Sequence, residues 1–174
     1  MFTVASLFMY KVPVKLPGIN ASTFTIIDND DIELVTSSSW LLIKRSRDKF
    51  GYVRTKRNGI VVFLHRLIIE AKKGEIVDHI NGNSLDNRKR NLRIVTNSQN
   101  LMNRGKQSNN TTGYCGVTLD KRDGIYNAQI KKRGIRFHLG RFRTAKEAAL
   151  AYNKAAVKLH GQFAKLNEFL PKGD

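Results

Sequence analysis

Cysteine and proline are scarce in this sequence, which has one cysteine, Cys115, and three prolines among 174 residues. A single thiol excludes an internal disulfide and any zinc site built from paired cysteines, so metal chemistry would use oxygen and imidazole ligands. No apolar run is long enough to span a bilayer, and the stretch from Met1 to Tyr10 lacks the basic leader of a signal peptide. We therefore expect a cytoplasmic protein that does not bind membranes.

Acidic residues are also few. The sequence has 14 aspartates and glutamates against 31 lysines and arginines, which gives a net charge of +17. Such an imbalance indicates a polyanionic partner. Residues 106–174 are the most basic part, with 14 basic and five acidic side chains. This last third is the first candidate for a phosphate-holding surface. The length allows one ordinary domain or two small ones.

The first half of the chain predicts a β-rich segment over residues 1–60. Short strands are indicated at 24–27, 41–44 and 52–55, and Asn58-Gly59 predicts a hairpin that leads into a strand at 60–64. Apolar residues at helical spacing predict a helix over 65–73 that ends at Gly74. A brief strand at 76–77 then runs into Asp78 and His79.

A polar loop follows His79, and residues 92–95 supply a second strand. Thr96 and Gln99 have the spacing of a capping box, which predicts a helix that carries Asn100 in its opening turns. Residues 105–111 contain no apolar anchor and predict a basic linker.

The remainder predicts a compact module over residues 112–174. Three runs, at 116–119, 126–131 and 135–139, are separated by Gly-containing turns and indicate a three-stranded antiparallel sheet. Thr144 and Glu147 form another capping box, and an alanine-rich face follows until Gly161 stops the helix.

Several separate elements in the middle of the chain resemble the HNH nuclease motif over about residues 61–104. They are VDHINGN at 77–83, DN at 86–87, NLR at 91–93 and Asn100, with HRL upstream at 65–67. The pattern is similar to the phage homing-endonuclease branch, in which the last motif residue is asparagine. The resemblance implies that Asp78 and Asn100 bind the metal, that His79 activates water, and that Asn91 orients His79 or locks the loop.

The residue types suit phosphodiester hydrolysis on independent grounds. That reaction needs a base for water, a cation for the phosphorane and stabilisation of the departing 3′ oxygen. Histidine has an ordinary pKa of about 6.5, so His79 can be neutral and basic at physiological pH. Asp78 alternates to the other side of the strand, and Asn100 could complete a site for one Mg²⁺ or Mn²⁺ ion per chain.

Each of these assignments has a plainer alternative. An Asp-His pair before a turn also fits a local Asx turn with an exposed histidine. His65 fits a hydrogen-bonded scaffold, and Arg66 fits either a phosphate contact or a solvated side chain. Arg88, Lys89 and Arg90 fit DNA-backbone contacts or generic surface charge.

The last module resembles the plant APETALA or ethylene-response-factor DNA-binding domain over about residues 112–169. The matching runs are GYCGV at 113–117, AQI at 128–130, HLG at 138–140, AALAYN at 148–153 and HGQFAKLN at 160–167. The family pattern has arginines at the positions of Cys115 and Thr118 and tryptophan at that of His138. These departures put the family's base specificity in doubt.

Alternation along the strands predicts which face of this sheet meets DNA. Ala128, Ile130, Phe137 and Leu139 should pack on the helix, leaving a polar, cationic face that could enter a major groove. The DNA-contact candidates on this face and its turns are Thr118, Lys121, Arg122, Asn127, Gln129, Lys131, Arg136 and His138.

The sequence thus predicts an α+β protein. A ββα-metal nuclease core at residues 61–104 follows the β-rich segment, and beyond the linker a three-stranded antiparallel sheet packs on one helix. The predicted function is metal-dependent cleavage of double-stranded DNA, by a monomer or weak dimer, inside a bacterial host if the protein is phage-encoded. One site per chain predicts a nick in one strand by a monomer, and a double-strand break needs dimerisation or two sequential events, so both outcomes stay open. The alternatives are a catalytically inactive DNA-binding regulator and, more distantly, an RNA-binding protein.

Overall fold

The computed structural model describes residues 9–18, 22–44, 51–103 and 110–169. Over these residues the protein is α+β, with several sheets and few helices, as predicted. Two compact units divide the chain, one up to Thr96 and one from Asn97. Most of the predicted linker lies outside the described residues. Among the described helices, none has the length and apolar character needed to cross a membrane.

The first unit is built on a five-stranded sheet in the order β2-β1-β3-β4-β5. Its elements in chain order are β1 (Met9–Lys15), β2 (Ser22–Asp28), α1 (Ile32–Thr36), β3 (Leu41–Ile43), β4 (Tyr52–Arg57) and β5 (Ile60–Phe63). The predicted strands after residue 20 are confirmed, whereas β1 and α1 are additional. β4 ends before residue 60 and β5 begins at it, and the two strands pair in the same sheet.

One face of this sheet covers the hydrophobic core of the first unit. Val14, Ile27, Val35 and Leu64 are fully buried in it, and Trp40 is 2% exposed. The Trp40 indole donates to the carbonyl of Val35 at 2.8 Å, so the polar atom of the largest core residue is satisfied. The core therefore extends from the sheet to the element that follows β5.

That element, α2 (Leu64–Ile68), is shorter than the helix predicted over 65–73. Glu70 has a φ angle of +53°, which takes the backbone out of the helix. The Arg66 guanidinium donates to the carbonyls of Lys72, at 2.7 Å, and Glu75, and so ties down the loop that follows. Arg66 thereby has a structural role, and the phosphate contact considered from the sequence stays a prediction.

The hairpin formed by β6 (Ile76–His79) and β7 (Leu92–Val95) completes the first unit. The loop between these strands docks on β2. The backbone N–H of Ile26 donates to Leu85, and that of Asn87 donates to Ile26, both at 2.8 Å. The N-terminal sheet is thus the platform on which the loop after His79 is held.

The second unit contains a three-stranded antiparallel sheet in the order β10-β9-β8, with a helix packed on it. Its elements are α3 (Asn97–Asn103), β8 (Val117–Asp120), β9 (Ile125–Lys132), β10 (Ile135–Phe142) and α4 (Ala145–His160). The predicted capping box at Thr144 and Glu147 is present. Ala148, Ala149 and Ala156 are fully buried, which lets the helix approach the sheet closely.

A β-bulge between His138 and Gly140 breaks the regular alternation of β10. Leu139 packs against the core as predicted, but Phe137 is 41% exposed, so its expected packing on the helix is wrong. The strand lies at the edge of the sheet, where cover from the single helix is incomplete.

Candidate active site

The β6–β7 hairpin positions Asp78 and His79 side by side at the end of a strand. In the register of the hairpin, Asp78 faces Arg93 and His79 faces Leu92. Asp78 is 8% exposed and His79 is 6% exposed. Buried polar groups require hydrogen-bond partners, so the partners of these two side chains define the site.

The imidazole of His79 has a defined tautomer because of Asn87. Asn87 Nδ2 donates to Thr25 Oγ1 at 2.7 Å and to the Ser84 carbonyl at 3.3 Å, which fixes the orientation of the amide. Asn87 Oδ1 therefore points at His79 Nε2, 3.2 Å away, and must accept from it. A neutral imidazole that donates through Nε2 has its basic lone pair on Nδ1.

His79 is also held in its neutral form by burial. Burial lowers the pKa of His79, and the hydrogen bond to Asn87 and the charges of Asp78 and Asp86 only partly offset this effect. Rings surround the imidazole, with His65 at 5.4 Å and Tyr52 at 6.5 Å between centroids. A neutral, oriented imidazole is the state that a general base requires before it takes a proton.

Asn91 braces the loop between β6 and β7. Its Nδ2 donates to the Asp86 carbonyl at 2.7 Å, and its Oδ1 accepts from the Asn81 backbone N–H at 3.0 Å. Of the two roles expected for Asn91, these contacts fit the locking of the loop. The contact that orients His79 comes from Asn87, which the sequence did not single out as a site residue although it belongs to the DN pair of the motif.

The carboxylate of Asp78 lies against a cation. Its Oδ2 accepts from Arg93 Nε at 2.9 Å and from Arg93 Nη2 at 2.7 Å. Asn100, the other expected metal ligand, is half-buried on α3 in the second unit. Among the described residues, no three His, Cys, Asp or Glu side chains cluster as a metal site would require. A cation here would therefore need amide oxygens beside the Asp78 carboxylate.

Two of the three loop cations expected to touch DNA are engaged with acids. Arg88 Nη2 lies 2.6 Å from Asp86 Oδ2, and Lys89 Nζ lies 2.8 Å from Asp31 Oδ1. Arg90 is exposed to solvent. The ion pairs of Arg88 and Lys89 help to fix the loop, which gives these residues a structural role beside any phosphate contact.

The sheet of the second unit separates polar and apolar faces along β9 as expected. Ala128 is fully buried and Ile130 is 3% exposed, while the residues that alternate with them point to the opposite face, namely Asn127, Gln129 and Lys131. The cross-strand partners on the polar face are Thr118 with Asn127, Gln129 with His138, and Lys131 with Arg136.

The bulge in β10 adds a cation to this polar face that strict alternation did not identify. Arg141 pairs in register with Asn127. In the neighbouring turn, the Asp123 carboxylate forms ion pairs with Arg141 Nη2 at 2.6 Å and with Arg122 Nε at 3.0 Å. Lys121 in the same turn is exposed. The predicted DNA-contact residues thus lie on one sheet face and its turn, and Arg141 joins them.

His65 makes the first unit sensitive to acid. Burial, with the charges of His79 and Arg66, lowers the pKa of His65 to about 3. The unfolded chain takes up a proton near pH 6.5 and the folded one does not, so stability is full above pH 6.5 and falls as the pH drops toward 3. At 1.36 kcal/mol per pKa unit, we expect a loss of about 2 kcal/mol between pH 7 and pH 5. Urea unfolding of the parent and of His65→Gln at both pH values measures this loss in the free energy of unfolding. Equal losses in the two proteins would contradict the assignment to His65.

The chain has relatives among viral and phage proteins. A profile of the HNH endonuclease family matches residues 62–102. An uncharacterized HNH endonuclease of Acanthamoeba polyphaga mimivirus is 33% identical over 158 residues, which cover 88% of this chain and 79% of that protein. Protein 3.8 of Escherichia phage T7 is 31% identical over 93 residues, or 53% of this chain and 76% of the phage protein.

A second kind of relative covers less of the chain. An AP2-like ethylene-responsive transcription factor of Arabidopsis thaliana is 42% identical over 64 residues, which are 37% of this chain and 13% of the plant protein. No solved structure matches the chain. The profile spans the hairpin that bears Asp78 and His79, and the mimivirus relative is matched over most of both lengths. On these grounds the chain belongs to the HNH endonuclease family.

Proposed function

We propose that the protein hydrolyses phosphodiester bonds of double-stranded DNA with one divalent metal ion, nicking one strand per site. The observation that carries the proposal is the buried, neutral imidazole of His79, whose Nε2 is committed to Asn87. In this arrangement Nδ1 is the atom that accepts the proton of the attacking water. Asn87 keeps the ring oriented, and Asn91 keeps the loop in place.

Asp78 and Asn100 are the side chains that we propose to hold a hard cation such as Mg²⁺ or Mn²⁺, because carboxylate and amide oxygens are the ligands that these ions prefer. The buried Asp78 carboxylate already forms an ion pair with the Arg93 guanidinium. Asn100 would add an amide oxygen, and the family profile extends across it, to residue 102. A bound cation would supply charge neutralisation at the phosphate and at the departing oxygen.

We further propose that the second unit holds the target DNA. The likeness to AP2-like transcription factors and the polar face of β8–β10 support this role. Because the units are covalently joined, DNA bound by one is present at high effective concentration for the other. Together with the viral and phage relatives, these features support a homing or mobile-element endonuclease that acts inside an infected host cell.

Metal removal tests the enzymatic proposal. We expect supercoiled plasmid to stay intact in EDTA and to be converted to the open circular form after excess Mg²⁺ or Mn²⁺ is added, because the cation neutralises charge in the transition state. Agarose gels report both forms over time. Nicking that persists in EDTA would contradict the metal requirement, and duplex binding without nicking in either metal would favour the inactive regulator.

A further inference from the structure

We propose that the outer face of the five-stranded sheet in the first unit binds the backbone of duplex DNA and leads it to His79. The outer face is the side opposite the hydrophobic core. This inference rests on the proposed function and extends it to a surface that the sequence did not indicate. Four cations define it: Lys11, Lys15, Arg54 and Lys56.

The strand register places these cations on one face. Val12 and Val14 of β1 and Val53 and Thr55 of β4 are buried, so the residues that alternate with them point outward. Lys15, Leu41, Arg54 and Phe63 follow one another as cross-strand partners from β1 to β5. Strands lie about 4.8 Å apart, so Lys15 and Arg54, two strands apart, are separated by about 10 Å of sheet.

Among the described residues, the cations on this face have no acidic partner. Within the five strands the one acidic residue is Asp28, at the end of β2, and its carboxylate accepts the backbone N–H of Lys89 at 2.7 Å. Over the described parts of the chain, none of the four cations forms an ion pair with an acid. This separates them from Arg88 and Lys89, whose charges are matched by Asp86 and Asp31. Cations without acidic partners are the ones available to phosphates.

A row of aromatic rings, of which Tyr52 is exposed, joins the cationic face to the imidazole of His79. Tyr52 is 43% exposed on the same face of β4 as Arg54, and its ring meets Phe63 edge-on at 6.4 Å. The Tyr52 ring also lies 6.5 Å from His79, and His65 contacts all three rings. A polyanion on the sheet would therefore extend to the place where His79 acts.

The salt dependence of binding tests this surface. Each phosphate contact contributes about 0.9 to the slope of log affinity against log salt, so Lys15→Gln/Lys56→Gln should lower the slope by about 2. At physiological salt, we expect affinity for a duplex to fall on the order of tenfold. The measurement uses the full chain in a His79→Gln background, which keeps the duplex intact. The matched control is Lys72→Gln/Lys73→Gln, which removes the same charge from exposed lysines of the same unit.

Equal slopes for the two double variants would overturn the inference, as would a loss of affinity confined to single-stranded RNA or anionic vesicles. Thermal melting within about 2 °C of the parent shows that the sheet is intact. A parent that never nicks plasmid, with a slope that still falls in the sheet variant, would refute the proposed enzyme and leave this surface standing. A parent that nicks plasmid, with a slope that does not change in the sheet variant, would refute the surface and leave the proposed enzyme standing.

Discussion

Replacement of His79 by glutamine should reduce plasmid nicking by a factor of about 10² to 10⁴, the contribution of a general base. Glutamine has a similar polar reach but no nitrogen that accepts a proton at neutral pH. The variant removes the nitrogen that would accept the proton of water, and it leaves a polar side chain beside Asn87. Nicking rates on supercoiled plasmid in Mg²⁺ or Mn²⁺ measure the effect.

Two controls separate lost chemistry from lost structure in that variant. Affinity for uncut duplex and the melting temperature should stay near those of the parent, because His79 is 6% exposed and carries none of the charges proposed to contact DNA. In a His79→Gly variant, added imidazole should restore part of the nicking. An unchanged nicking rate in His79→Gln would show that another group activates the water.

Substitution of Gly116 by alanine should strongly destabilise the second unit. Gly116 has a φ angle of +70°, and a Cβ atom there would lie 2.1 Å from Cδ2 of Tyr152 and 2.5 Å from the backbone oxygen of Gln129. Tyr152 is 7% exposed and Gln129 belongs to the central strand, so neither can give way cheaply. Backbone strain and overpacking together should cost about 3–5 kcal/mol, a large share of the stability of a small domain.

Gly124→Ala is the matched control for Gly116→Ala. Gly124 also has a positive φ, +66°, but nothing lies within 4 Å of the added carbon. Gly124→Ala should therefore lose only the free energy that a positive φ angle costs an alanine, about 1 kcal/mol. Urea unfolding followed by circular dichroism compares the two variants. Similar losses in both would mean that the packing of Tyr152 against Gly116 adds nothing to stability.

Local sequence signals predicted most of the elements but not the contacts that cross long stretches of chain. Alternation along β9 and the capping box at Thr144 depend on near neighbours, and both are confirmed. The role of Asn87 depends on Thr25, 62 residues earlier, which no local pattern reveals. Lys89 is likewise engaged with Asp31, whose approach follows from the docking of the loop on the sheet.

Departures from regular geometry account for the other differences. One extra residue in β10 moves Arg141 onto the polar face, and alternation counted from Arg136 cannot anticipate such a bulge. The helix after β5 is shorter than predicted, and the Arg66 guanidinium donates to the carbonyls of Lys72 and Glu75 in the loop that follows it. These hydrogen bonds stabilise the loop conformation over further helical turns. In both cases the residue pattern is compatible with either outcome, and tertiary contacts select one of them.

The anchoring of Asn87 by β2 has a consequence for how this enzyme can evolve or be engineered. The residues that set the protonation pattern of the imidazole are spread from Thr25 to Asn87, so the stretch that matches the family profile, residues 62–102, does not contain all of them. Transplanted without the strand that carries Thr25, this stretch would keep His79 and lose the hydrogen bond that holds the Asn87 amide toward it.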